Sequence, residues 1–341
     1  MMVSIKDIAR AIGVSPSTVS RAWNNKPGVS VETRKQILRA IEELGYSPNE
    51  LARGLKLQQS STVGLVIPNI HNQVYAEIAS SLENACTTEG YLVILCNSGR
   101  DPRREDTLLY MLRAKRVDGV VIIPGQEPLR LVEPLRRARI PVVILEHEVP
   151  GEYCIIVDDL AGGRLGTQHL LDLGHRRIAM ISRTRHSGTS ALRVTGYRQV
   201  IEEAGISFDD ELLVECESGH EAAYLAMRRL LTLDNPPTAV FTHNDVQALG
   251  ALHAIQSAGL SVPGDISVVG FDDISSSAYF YPPLTTVRYP KQEVGKLAAE
   301  TVLALVRGND LPGPWTRILP VELVIRGSTA PCRFSPLSVK R

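Results

Sequence analysis

The sequence predicts a small all-α head followed by an α/β body of two doubly wound parallel-sheet lobes. Three observations carry that reading. Residues 1–58 hold short helical repeats separated by capping residues, short apolar runs alternate with helical segments from residue 62 onward, and the alternation stops and restarts near residue 160. A chain of 341 residues exceeds one ordinary core and fits two or three domains. Its 44% hydrophobic and 22% charged content describes a soluble globular protein rather than a disordered or membrane one. No apolar run approaches the roughly 18 residues that span a bilayer. The first residues lack the apolar stretch and cleavage site of a secretory signal. Cys86, Cys96, Cys154, Cys216 and Cys332 are odd in number and never spaced as CxxC, which argues against a disulfide framework and a zinc site. The expected compartment is the cytoplasm, and no cofactor or membrane partner is expected.

In the head, Ser4 and Asp7 form a short-armed capping box. Ile5, Ile8, Ala9 and Ile12 then recur at helical spacing, and Gly13 ends the helix. Ser15 suits an N-cap and Pro16 a first helical residue, since its ring fixes φ and it has no N–H to leave unpaired. Only Gly13, Val14 and Ser15 separate the two helices. So short a turn makes them cross steeply, which is helix-turn-helix geometry. Val19 and Ala22 face the first helix and leave Pro16, Ser17, Ser20 and Arg21 outside. Ser30 caps a third helix, whose Ile37, Leu38, Ile41 and Leu44 are expected to bury against the pair before Gly45 ends it.

Residues 1–58 carry nine basic against five acidic side chains, and the rest of the chain 28 against 32. A basic head on a mildly acidic body suits phosphate binding. Small polar side chains let a helix sit deep in the major groove, and an arginine there bonds bidentately to guanine O6 and N7. The plainer alternative is a three-helix domain whose surface is merely polar.

The string GVSPSTVSRAWNNKPGVSVETR, continued by ELGYSPNELARGL, resembles the head and hinge of the lactose-repressor (LacI/GalR-type) transcriptional regulators. The resemblance implies that Pro16, Ser17 and Arg21 read bases, with Ser20 beside them. Arg21 carries most of that expectation, because Pro16 offers only apolar contact to a thymine methyl. Residues 47–60 are the expected hinge helix and linker, with Leu51, Ala52 and Leu55 on one side. A helix so short is marginal alone, and Gly54 costs it roughly 1 kcal/mol more. By the resemblance this segment folds when two copies meet on DNA, and Leu55 matches a leucine wedged into the minor groove.

Beyond the hinge, apolar runs at 63–67, 91–95, 119–123, 141–145, 178–181, 239–242 and 266–271 alternate with helical spacings such as Ile78-Leu82-Ala85 and Leu108-Met111-Leu112. Continuous apolar strands alternating with helices mean parallel sheets covered on both faces. The body resembles the periplasmic-binding-protein-like fold of the same regulators, which implies three crossings between lobes, near 160, 288 and 319. The expected organisation is a head at 1–46, a hinge and linker at 47–60, a body at 61–330 and a tail at 331–341. Within the body, lobe 1 takes 61–160 and 289–318, and lobe 2 takes 161–288 and 319–330.

Ligands of such sheets sit at the carboxyl ends of the strands, where Asn69, Glu146, Asn244 and Asp272 fall. Tyr75 opens the first body helix, and Arg193 precedes Gly196-Tyr197. Carboxylate, amide and guanidinium groups together suit a polyhydroxylated ligand, whose adjacent hydroxyls pair with them. On pattern alone Asp272-Asp273 and Asn244-Asp245 serve equally as caps. The resemblance assigns Arg193, Asn244 and Asp272 to the effector, and places Glu146 and Tyr75 beside it. Near Ser218 some relatives carry a stacking ring, whereas Ser218-Gly219-His220 offers only the histidine. A sugar or sugar acid is therefore the expected effector, with a nucleoside or nucleobase the alternative.

Catalysis finds no motif, as the histidines form no HExxH and there is no P-loop or GxSxG. A free solute-binding protein would need an export signal and no head. The expected protein is a homodimeric regulator, most simply a repressor that blocks polymerase from a near-palindromic double-stranded operator. Effector binding reorients the lobes and, through the hinges, the heads. The tail has no heptads, so a tetramer through a C-terminal bundle is not expected.

Overall fold

The computed structural model describes residues 3–23, 25–45, 59–125, 127–183, 188–309 and 311–332. Contacts divide the chain after Ser60 into a head and a body.

Among the described residues the head forms α1 (Ile5–Ile12), α2 (Pro16–Trp23) and α3 (Val31–Glu43). Each helix starts on a satisfied cap. The Ser4 N–H and hydroxyl both donate to Asp7 Oδ2, at 2.9 and 2.6 Å. Thr18 N–H donates to Ser15 Oγ and Thr33 N–H to Ser30 Oγ, each at 3.1 Å. Gly13 ends α1 at φ 72°, a left-handed turn that a Cβ would strain. Ile8, Ala9, Val19, Ala22, Ile37 and Ile41 form the core. Leu38 and Leu44, expected in that core, are instead 38% and 42% exposed. Ile37 and Ile41 already align at i and i+4, so Leu38 is rotated about 100° away from them, and Leu44 lies beyond the last helical residue. Ser30→Ala should cost the head about 1 kcal/mol. Faster amide exchange across α3 in the full-length protein is the expected sign, and unchanged exchange would show that water replaces the cap.

Among its described residues the body contains two six-stranded sheets. The first comprises β1 (Thr62–Ile67), β2 (Leu92–Asn97), β3 (Gly119–Ile122), β4 (Val142–Leu145), β5 (Tyr153–Val157) and β11 (Thr316–Leu319). Its order is β11-β5-β4-β3-β1-β2, and every pair is parallel. The second comprises β6 (Ile178–Arg183), β7 (Leu213–Cys216), β8 (Ala239–Thr242), β9 (Ser267–Asp272), β10 (Thr285–Arg288) and β12 (Glu322–Val324). Its order is β12-β10-β9-β8-β6-β7, parallel except for the antiparallel edge pair β10–β12. The first sheet is flanked by α4 (Gln73–Thr88), α5 (Pro102–Ala114), α6 (Pro128–Arg137) and α11 (Lys291–Val306). Around the second lie α7 (Asp159–Asp172), α8 (Gly188–Glu203), α9 (His220–Leu231) and α10 (Asp245–Ser257). The chain therefore changes sheet between β5 and α7, between β10 and α11, and between β11 and β12.

The central strands β3, β4 and β8 are buried at every position, as parallel strands covered on both faces must be. On α5 the buried stripe runs Glu105, Leu109, Leu112, and Met111 is 52% exposed. A spacing of i, i+4, i+7 thus displaces the face expected through Leu108 and Met111.

The close crossing of α7 over α8 matters for the site. A Cβ on Gly163 would lie 2.3 Å from the Arg193 carbonyl oxygen, and one on Gly196 2.4 Å from that of Leu160. Only glycine permits this approach of backbones, and it sets the Arg193 side chain beside the first residue of α7, Asp159.

Candidate functional site

Two surfaces carry chemistry, one in the head and one in the body. On α2, Pro16, Ser17 and Arg21 are exposed and Ser20 is half-buried, while Val19 and Ala22 turn into the core. Ser17 Oγ lies 2.7 Å from Ser15 Oγ, so part of its hydrogen-bonding capacity is engaged in the cap. Arg34 of α3 has a different task. Its guanidinium donates to the Ala22 and Lys26 carbonyls at 3.2 and 2.8 Å and also holds the Asn25 side chain, closing the C-terminal end of α2. Among the described residues no carboxylate pairs with Arg21. Leu51, Ala52 and Leu55 lie outside the described residues.

In the body, a cavity of about 250 Å³ opens at the carboxyl ends of both sheets. It collects all seven residues singled out from the sequence, namely Asn69, Tyr75, Glu146, Arg193, Ser218, Asn244 and Asp272. They come from both lobes. Asn69 follows β1, Tyr75 lies on α4 and Glu146 follows β4; Arg193 lies on α8, Ser218 follows β7, Asn244 precedes α10 and Asp272 ends β9. Glu146 and Asp272 have φ of 63° and 111°, backbone conformations that L residues adopt rarely and that cluster at ligand sites. Asn244 serves both readings, since its Oδ1 caps α10 by accepting from Gln247 N–H at 2.9 Å while the residue lines the cavity. His220, the ring that the Ser218-Gly219-His220 segment offers, is not in the lining.

Arg193 is the most constrained group. It is 5% exposed, donates through Nε to Asp159 Oδ1 at 2.7 Å, and donates through Nη1 to the His243 carbonyl at 2.5 Å. Nη1 also lies 4.0 Å from Asp272 Oδ1, and the guanidinium stacks 3.4 Å from the Phe271 ring centre. Burial pushes the Asp159 carboxyl up to about 6 and the Asp272 carboxyl up to about 7, against the pull of Arg193 on both and of Lys291 on Asp272. The buried Lys291 of α11 donates to the Asp272 and Asp273 carbonyls, each at 2.7 Å, and so ties the first lobe to the end of β9 in the second.

The sequence reading missed Arg100, Arg183, Thr189, His243 and Tyr289 of the lining. Arg100 and Arg183 were within reach of the strand-end rule, for they follow β2 and end β6. Tyr75 hydroxyl donates to Glu146 Oε2 at 3.1 Å and accepts from Arg100 Nη2 at 3.3 Å. Burial raises the Glu146 carboxyl, and the nearby Arg100 charge opposes it. Burial and three nearby guanidinium groups hold His243 neutral, well below its ordinary range. Among the described residues, His243 Nδ1 and the Tyr289 hydroxyl are buried without a partner. Two orphan polar atoms in a polar cavity are what a ligand would satisfy.

A larger groove of about 880 Å³ runs between α4 and α11, away from the strand ends. Its cations pair locally, Lys296 with Glu300 at 3.9 Å and Arg307 with Glu89 at 2.7 Å. Among the described residues no group of His, Cys, Asp or Glu could hold a metal ion, and no helix is long and apolar enough to cross a membrane.

Comparison with known proteins gives consistent matches. A profile for bacterial regulatory proteins of the lacI family matches residues 4–49, and one for a periplasmic binding protein-like domain matches residues 167–329. The HTH-type transcriptional repressor PurR of Vibrio atlanticus is 36% identical over 312 residues, covering 91% of this chain and 93% of the relative. The structure of the lac repressor dimer bound to operator and the anti-inducer ONPF aligns with a TM-score of 0.87 at 30% identity, covering 97% of this chain and 100% of that one. A complex of the transcriptional regulator CelR with cellobiose aligns with a TM-score of 0.73 at 30% identity, covering 96% and 99%.

Proposed function

The chain belongs to the lacI family of bacterial regulatory proteins, and from that premise we propose that it is a transcriptional repressor whose operator affinity is set by a sugar or sugar acid bound between the two lobes. The observation that carries the ligand site is a cavity into which both lobes send residues, Asp272, Arg193, Asn244 and Glu146 among them, with His243 Nδ1 and Tyr289 Oη unpaired among the described residues. Carboxyl, amide and guanidinium groups recognise vicinal hydroxyls. Ligand contacts to both lobes favour one lobe arrangement over another, and the hinge segment transmits that preference to the heads.

On the DNA side, α2 presents Arg21 and Ser17 to base edges, with Ser20 and Pro16 at the margin of the contact. Two heads on a homodimer read the halves of a near-palindromic operator. Leu225 of α9, Leu249 of α10, and Tyr279 and Tyr281 after β9 are 63%, 43%, 87% and 88% exposed. Such side chains suit burial against a second copy.

A nucleobase is the second reading, motivated by the name PurR that the curated relatives bear. A flat base would rest on the Tyr75 and Tyr289 rings, since Ser218 and Gly219 supply none.

A thermal-shift panel of glucose, gluconate, ribose and hypoxanthine against the full-length protein tests both readings. At about 100-fold excess over Kd a true effector adds about 2.7 kcal/mol, which raises Tm by roughly 5–8 °C in a body of this size. Asp272→Asn should erase that response. The variant should match or exceed wild type in ligand-free stability at pH 8, because a carboxyl raised to about 7 loses its contribution to folding as pH climbs through that value. A full response in Asp272→Asn would remove the cleft from consideration.

A further inference from the structure

We propose that the effector carries an oxyanion, a carboxylate or phosphate, clamped between Arg100 of the first lobe and Arg183 of the second. The inference rests on the cleft being the effector site and adds the charge class of its occupant. Three cationic side chains line the cavity, and they are not equivalent. Arg193 is committed, with Asp159 at 2.7 Å, Asp272 at 4.0 Å and the Phe271 ring beneath it. Arg100 donates to the Tyr75 hydroxyl at 3.3 Å, and among the described residues neither it nor Arg183 has a carboxylate within ion-pair distance. Glu146 faces them, yet its nearest partner is the Tyr75 hydroxyl at 3.1 Å. One carboxyl therefore answers two guanidinium groups.

The placement of those two groups across the cleft matters more than their number. Arg100 follows β2 and Arg183 ends β6, so they stand on opposite sheets and both face the same half-buried space. Burial, and after it the Arg100 charge, hold Arg183 below its ordinary range, against the opposite pull of Tyr75 and Glu146. Repulsion between the two guanidinium groups opposes approach of the lobes. An oxyanion between them converts the repulsion into two charge-assisted forks, each guanidinium presenting parallel N–H donors to oxygens. The rest of such a ligand reaches Asp272 and the orphan atoms His243 Nδ1 and Tyr289 Oη, which are hydrogen-bonding demands an alkyl acid would leave unmet. The occupant that meets both ends is a hydroxylated acid or a sugar phosphate.

The test uses the full-length protein and isothermal titration with four probes, glucose, gluconate, glucose 6-phosphate and hypoxanthine. Binding of gluconate or of the phosphate, but not of glucose, is expected, and the two acids separate carboxylate from phosphate as the source of the charge. Arg183→Gln and Arg100→Gln should each weaken that binding about 10- to 100-fold, as loss of a charge-assisted hydrogen-bonded partner does. Without ligand, Arg183→Gln should leave Tm equal or raise it, whereas a structural role would lower it. Glucose or hypoxanthine binding unchanged in Arg183→Gln but lost in Asp272→Asn overturns the clamp and leaves the cleft in place. Binding that survives both substitutions overturns the cleft reading as well, and failure of both acids to bind overturns the clamp.

Discussion

Arg193→Ala is expected to destabilise the body by about 3–5 kcal/mol, the cost of removing one partner from a buried ion pair. The effect has three sources in the geometry. Asp159 loses its 2.7 Å partner, the His243 carbonyl loses its donor, and the Phe271 ring loses the guanidinium stacked on it. The resemblance assigns Arg193 to the effector, and the structure adds a structural task, because the side chain is 5% exposed and sits at the point where α7 and α8 touch backbone to backbone. The pH dependence identifies the mechanism. In the native protein Asp159 and Asp272 titrate at about 6 and about 7, both above their ordinary 3.8, so their contribution to stability falls as pH rises through those values. Removing Arg193 moves both native values further up and extends the fall to higher pH. The gap between wild type and variant should therefore be steady below about pH 6 and widen from pH 6 to 8. Denaturant midpoints at pH 5.5 and 8 measure it, and equal gaps would assign the loss to packing rather than to orphaned carboxyls.

How far the sequence reveals this depends on which force places each residue. The strands β1, β3, β4, β8 and β9 announce themselves because both faces are buried, which leaves runs such as GVVII and ISVVGF. The edge strands β7, β11 and β12 do not, for one side of each is solvated and LVEC, TRIL and ELV carry polar residues. The helix caps are legible because they are local, as Ser4 with Asp7 and Ser30 with Thr33 demonstrate. Leu38, Leu44 and Met111 are misread because hydrophobicity does not state which of two adjacent apolar positions a neighbouring helix will cover. In the cleft, strand ends supply Asn69, Glu146, Asn244 and Asp272. The partners of those groups are long-range and silent in the sequence. Nothing local connects Asp159 to Arg193 across 34 positions, or Lys291 to the carbonyl of Asp272. Arg100 and Arg183 stand at strand ends as well, and what the sequence leaves silent is that the two strands bring them to one cavity.

Arg21→Ala is expected to weaken operator binding by about 1–3 kcal/mol, roughly 5- to 150-fold, and to relax base preference at one position per half-site. The head supplies its own control for this prediction. Arg21 is exposed on α2 and has no carboxylate partner among the described residues, whereas Arg34 is tied to the Ala22 and Lys26 carbonyls. Arg34→Ala should therefore loosen the end of α2 and lower affinity for every sequence together with head stability. Arg21→Ala should leave head stability within about 0.5 kcal/mol of wild type, as surface substitutions do, and discriminate between operator and random DNA. Salt separates the remaining possibility. A side chain that holds phosphate contributes about one unit to the slope of log K against log salt, while one that reads a base edge contributes little. Titrations of operator and random duplexes at two salt concentrations decide the matter. A uniform loss with a shallower slope would make Arg21 a phosphate clamp and shift the base-reading role along α2 to Ser17 and Ser20.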